Sequence, residues 1–150
     1  ILKYYENVLS SVVTLAFFIP LLADVGGNSG TQASSLIIRA LALGEVTVKD
    51  IAVILFKELR VSGLIGIVMG FIGYFFAWAI SGSATIGMIV ACTLIVVLIM
   101  SSTIGAILPI LGRMCRVDPA VFSAPFITTV VDITALTVYF NIAIRLLNID

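Results

Sequence analysis

Apolar residues fall in four long runs separated by short polar breaks. A transmembrane helix needs about 20 mostly apolar residues. The first run covers 7–23, with Pro20 near its end. It is predicted to break at Asp24-Val-Gly-Gly-Asn-Ser-Gly30 and to resume as helix over 31–43. Thr47-Val-Lys-Asp50 reads as a capping box, a hydroxyl at the N-cap with a carboxylate three residues on. It opens a helix predicted over 48–80, about 50 Å long at ~1.5 Å per residue and so longer than the hydrocarbon is thick. Its first turns carry Lys49, Asp50, Lys57, Glu58 and Arg60 and belong outside the apolar layer, leaving 61–80 as the span. A turn at 81–84, a span over 85–111 with Pro109 near its exit, and a basic turn at 112–117 follow. Asp118-Pro119, an N-cap followed by proline at the first helical position, opens a last span running to about Leu147. The pattern predicts an all-α integral membrane protein, a polytopic helical bundle with four spans.

Composition agrees. Hydrophobic residues make up 61% of the 150 and charged residues 11%, against roughly 25% charged in soluble domains. Eight basic and eight acidic residues leave no excess charge for a nucleic acid. Histidine is absent, which removes the commonest general base and transition-metal ligand. Cys92 lies in an apolar run and Cys115 in the basic turn, so no disulfide framework or thiolate metal site is expected. With no nucleophile–base pair either, no catalytic residue is assigned and an enzyme is the least expected class.

Lysine and arginine placement sets the expected orientation. Arg39, Lys49, Lys57, Arg60, Arg113 and Arg116 fall on one side, and Lys3 and Arg145 on the other. The basic loops, 39–60 and 113–116, are therefore expected to be cytoplasmic in a multi-pass protein of the plasma (inner) membrane. Both ends then face outward. The opening Ile-Leu-Lys-Tyr-Tyr-Glu has neither an initiator methionine nor a signal-peptide layout, so an upstream span is expected to precede it.

Asp132 is the most informative residue. It sits midway along a run with no other charge between Asp118 and Arg145, where a charge costs at least about 2.5–3.5 kcal/mol. Ala124, Thr128, Asp132, Ala135 and Tyr139 share one helical face by spacing, small and polar as a water-filled path requires. Asp132 reads either as a cation or proton site or as an acid hydrogen-bonded to a neighbouring helix. Gly26-Gly27-Asn28-Ser29-Gly30-Thr31-Gln32 reads in two ways as well. An irregular backbone lining a cavity would offer carbonyl oxygens, joined by Asn28 and Gln32, to a hard cation. A helix end would use Asn28 and Thr31 as caps. Gly63, Gly66, Gly70 and Gly73, and Ser101, Ser102, Thr103 and Gly105, read as packing stripes. Trp78, Tyr74, Tyr139, Tyr4 and Tyr5 read as an interfacial aromatic belt.

Two segments carry a family resemblance. They are Pro20-Leu-Leu-Ala-Asp-Val-Gly-Gly-Asn-Ser-Gly-Thr-Gln32 with Arg39-Ala-Leu-Ala-Leu-Gly44, and Asp118-Pro-Ala with Pro125-Phe and Thr129-Val-Val-Asp-Ile-Thr134. The chain resembles the MgtE family of magnesium channels and transporters over nearly its whole length. The resemblance implies a pore domain over 1–150, with four of the family's five spans and without its cytosolic regulatory domains. It implies a homodimer whose ion path follows the two-fold axis, between the glycine-broken helix and the last helix. Asp132 then holds hydrated Mg2+, with Mn2+ and other divalent cations as further candidates, and Thr128 adds a carbonyl or hydroxyl. Gly27, Asn28, Gln32, Ala124 and Ala135 fall along the pore; Ala124 and Ala135 replace residues that are commonly polar or glycine in the family. Partners are then a second copy, membrane lipid and the transported ion. A proton-coupled secondary transporter, in which Asp132 titrates, and a membrane scaffold without transport are the competing classes.

Overall fold

The computed structural model describes residues 1–6, 12–118, 121 and 124–148. Four α-helices lie among them: α1 (Ile19–Leu43), α2 (Ile51–Ser81), α3 (Ala84–Met114) and α4 (Ala124–Leu147). A 3-10 turn over Val13–Phe18 leads into α1, and another over Val48–Asp50 leads into α2. With these turns, all four are long and apolar enough to cross a membrane. The chain is thus an all-helical, multi-pass membrane protein.

Local chemistry sets the boundaries. Pro20 stands in the first turn of α1, where its missing N–H removes no helical bond. Gly44, at φ +71°, closes α1 in the left-handed conformation that glycine adopts without strain. The expected capping box is present at the start of the second span. The Asp50 carboxylate accepts hydrogen bonds from the Thr47 N–H and hydroxyl, both at 2.8 Å. Gly82, at φ +67°, ends α2, and Ser83 accepts the Ile86 N–H to open α3. Helix α3 runs past Pro109 to Met114, one turn beyond the expected exit. Regular α-helix in the last span is described from Ala124 rather than from 119; Pro119 lies outside the described residues.

The largest correction concerns α1. No break occurs at Gly26–Gly30: the helix is continuous from Ile19 to Leu43. Glycine in a helix interior costs about 1 kcal/mol relative to alanine. Opening the backbone in an apolar layer would strand N–H and C=O groups at several kcal/mol each. Three glycines are therefore cheaper to keep helical than to unwind.

Helix α3 is the hub, packed against α1, α2 and α4, while α1 also meets α4. An apolar cluster at one end joins Leu15, Phe18, Leu22, Ile89, Leu94, Tyr139 and Phe140. A smaller one at the other end joins Ile37, Ile54, Ala106 and Ile110. Between them lies a waist of small residues. A Cβ on Gly105 would run into the Gly30 carbonyl of α1, so the two backbones touch there. Ser29 and Ser102 share a hydrogen bond across the same contact at 3.1 Å. Gly66, Gly70 and Gly73 seat α2 against Ala91, Leu94 and Ile95 of α3, as their spacing predicts. Gly63 is an exception, with nothing within 4 Å of its Cβ position. The outward face of α2, including Leu64, Ile67, Val68, Phe71 and Phe75, is exposed and suited to lipid.

The aromatic belt is also corrected in part. Trp78 and Tyr4 are exposed as expected, but Tyr139 is 0% accessible and Tyr5 is buried. Tyr139 donates its hydroxyl to the Leu15 carbonyl at 2.9 Å. Tyr5 stacks on Phe140, with ring centroids 4.8 Å apart, and accepts from the Asn141 amide at 2.9 Å. Both side chains pin the N-terminal segment to α4 inside the protein.

Candidate functional site

A continuous α1 presents its polar residues at helical spacing. Asp24 and Asn28 lie one turn apart, with Gly27 beside them. Thr128 and Asp132 lie one turn apart on α4. The two pairs meet in an open pocket of about 310 Å³, lined by Ala23, Asp24, Gly27, Asn28, Thr128 and Asp132.

Gly27 sets how closely the helices approach there. A Cβ on it would lie 3.2 Å from Thr128 Cγ2 and 3.8 Å from Asp132 Oδ1. A larger residue would push α4 away or fill the pocket. The Thr128 hydroxyl donates to the Ala124 and Pro125 carbonyls at 3.0 and 3.1 Å, which fixes its rotamer and leaves its oxygen lone pairs as acceptors. Among the described residues, no hydrogen bond or ion pair reaches Asp132, so the reading that bonds it to a neighbouring helix finds no partner among them.

All donors in this pocket are side-chain oxygens: two carboxylates, one amide and one hydroxyl. The set suits a hard cation that prefers oxygen and keeps part of its water. Groups of three or more acidic, cysteine or histidine side chains are absent among the described residues. One chain thus offers a partial shell rather than a closed cage.

The pocket gathers part of the expected site. Asp132, Thr128, Asn28 and Gly27 come together. Gln32 is exposed one turn further along α1 and does not line the pocket. Ala124 is exposed at the start of α4, likewise outside it. Ala135, at 1% accessibility, is packed inside the bundle and does not line the pocket. With Tyr139 also buried, the expected polar face of α4 is open only at its Thr128–Asp132 end. The backbone carbonyls expected from a broken Gly26–Gln32 segment are engaged in α1, and Thr31 is mid-helix rather than a cap.

Asp24 is the residue that sequence reasoning missed. Treating 24–30 as a break hid its i, i+4 relation to Asn28, which was the signal for it. Helical spacing, in steps of four, three and four residues, continues through Gln32, Ser35 and Arg39. These five residues are all exposed, so α1 carries a polar stripe from the pocket to the basic end of the bundle.

The chain is similar to known proteins over most of its length. The family model described as MgtE, divalent cation transporter, matches residues 19–142. The chain is 40% identical over 143 residues to "Magnesium transporter MgtE" of Bacillus subtilis, covering 95% of this chain. It is 37% identical over 149 residues, 98% of the chain, to the protein of that name from Thermus thermophilus. It is 29% identical over 143 residues, 95% of the chain, to that of Enterococcus faecalis. The chain spans about a third of each of these relatives, 32% of their length. A family match over most of the chain, and the agreement with relatives above 30% identity from end to end, place this chain in the MgtE family of divalent cation transporters.

Proposed function

We propose that residues 1–150 form the pore portion of a magnesium transporter. In this reading a hydrated Mg2+ ion is held by Asp132 of two chains on a shared axis. The observation that carries it is the pocket of Asp24, Asn28, Thr128 and Asp132 at the head of the α1 polar stripe. An exposed row of carboxylate, amides, hydroxyl and guanidinium is expensive against lipid and well suited to a wet path.

The chemistry follows from magnesium's reluctance to lose water. It keeps several waters and is bound by few carboxylates. Outer-shell contact through water discriminates by charge and hydrated size, and is weak enough to let the ion leave. Thr128 and Asn28 accept hydrogen bonds from those waters. Gln32 continues the path toward the basic end, which the positive-inside rule assigns to the cytoplasm, and Ala124 lies near its mouth. The names of the relatives support magnesium as the ion, and this chain spans 32% of their length.

The test is Mg2+ uptake into liposomes by the full-length protein and its Asp132→Asn variant. The variant keeps the side-chain size and one of the two oxygens and removes the charge. Uptake is expected to fall at least tenfold while the oligomer, followed by size-exclusion chromatography, is unchanged. Uptake at the unmodified rate would refute the assignment. Uptake that requires a proton gradient would favour the proton-coupled transporter instead.

A further inference from the structure

We propose that the basic end of the bundle carries a binding site for an anionic phospholipid headgroup, centred on Arg113. Three hollows meet there. One of about 450 Å³ lies between the end of α1 and the start of α2, lined by residues including Leu41, Val46, Val48, Lys49 and Arg113. A second, of about 540 Å³, is lined by Arg113, Arg116, Val117 and Asp118. A third, of about 140 Å³, is lined by Ile38, Leu41, Ala42, Arg113 and Asp118. Arg113 is common to all three.

Charge and shape favour the same occupant. Arg113, Arg116 and Lys49 supply three cations, and Asp118 is the one carboxylate among the described lining residues. The nearby Asp50 carboxylate already accepts two hydrogen bonds from Thr47. Apart from Gly44 and Thr47, the remaining walls are aliphatic, as an acyl chain requires and a soluble anion does not. Basic pockets between transmembrane helices at the membrane–water boundary are suited to anionic headgroups, with guanidinium groups pairing to phosphate oxygens.

The backbone adds an independent sign. After α3, the Val117 N–H bonds to the Gly112 carbonyl at 2.9 Å and the Arg116 N–H to the Arg113 carbonyl at 3.3 Å. This helix stop places its left-handed residue at 116, with φ +58°. Glycine fills that position without strain. This chain has arginine there, accepting an unfavourable backbone conformation while setting a second guanidinium beside Arg113.

The site depends on the membrane reading of the chain and not on its ion path. The full-length protein, reconstituted in nanodiscs of equal phosphatidylcholine and phosphatidylglycerol, is released into detergent and its bound lipids are counted by native mass spectrometry. Phosphatidylglycerol is expected to be retained over phosphatidylcholine. Arg113→Gln should reduce that retention about tenfold. Leu41→Trp, which fills the groove and leaves the charges, should also reduce it, and it decides the matter if Arg113→Gln does not assemble. Arg145→Gln, at the opposite end, should leave it unchanged. Equal retention of the two lipids, or unchanged retention in Leu41→Trp, would overturn the proposal. So would displacement of the bound lipid by millimolar inorganic phosphate, which would identify a soluble-anion site.

Discussion

Gly105 decides how closely α1 and α3 approach. Its missing side chain is where the Gly30 carbonyl lies, and a backbone carbonyl cannot rotate away as a side chain can. Gly105→Ala is therefore expected to destabilise the protein by about 1–3 kcal/mol through overpacking, read as a lower midpoint in denaturant titration in detergent micelles. An unchanged midpoint would mean that the two backbones are not in contact. The functional residues differ in how legible they were. Asp132 stands out in either reading, because it is a lone carboxylate midway along an apolar run. Asp24 was hidden behind an assumed helix break, although its spacing to Asn28 was available. The burial of Ala135 and Tyr139 was not legible for a different reason. Helical spacing says which residues share a face, but it does not say where along that face a neighbouring helix begins to cover it.

At the scale of elements, hydropathy and end signals were sufficient for four spans. Thr47–Asp50, Gly44 and Gly82 stop or start helices through local chemistry that needs no tertiary information. The state of the Gly26–Gly30 segment was not legible, because two opposing energies act there. Intrinsic propensity favours breaking, and the apolar surroundings favour keeping every backbone hydrogen bond. The glycine stripe of α2 shows the same limit. Its period identified the packing face, but Gly63 and Gly70 have identical sequence credentials and different surroundings. Gly70 faces the Ala91 carbonyl at 3.1 Å and Ile95 Cγ1 at 2.9 Å, whereas Gly63 faces open space. Gly63→Ala should then be neutral or stabilising by up to about 1 kcal/mol, since alanine is the better helix former. Gly70→Ala should be destabilising by about 1–3 kcal/mol. Paired denaturation midpoints check this, and a Gly63→Ala loss as large as that of Gly70→Ala would place an undetected neighbour at 63.

At the scale of the whole molecule, the bundle presents an apolar face on one side and a polar stripe on another. The outward face of α2 is aliphatic and aromatic and can meet lipid directly. The outward face of α1 carries Asp24, Asn28, Gln32, Ser35 and Arg39, and lipid cannot solvate these groups. A second copy related by a two-fold axis, the commonest closed symmetry, would cover both stripes and enclose the water they need. It would also bring two Asp132 carboxylates near one axis, where their repulsion is relieved by a divalent ion. Thr128, one turn from Asp132 and lining the same pocket, is the position to probe, because the carboxylate stays intact. With Cys92 and Cys115 replaced by serine, Thr128→Cys should crosslink to a dimer with a short bifunctional thiol reagent. Millimolar Mg2+ should slow the reaction several-fold by occupying the axis. A cysteine at Phe71, on the lipid-facing side of α2, should not crosslink under the same conditions. If Phe71→Cys crosslinks and Thr128→Cys does not, the copies meet through α2. The α1–α4 pocket would then face away from any shared axis, and Asp132 would have to act within a single chain.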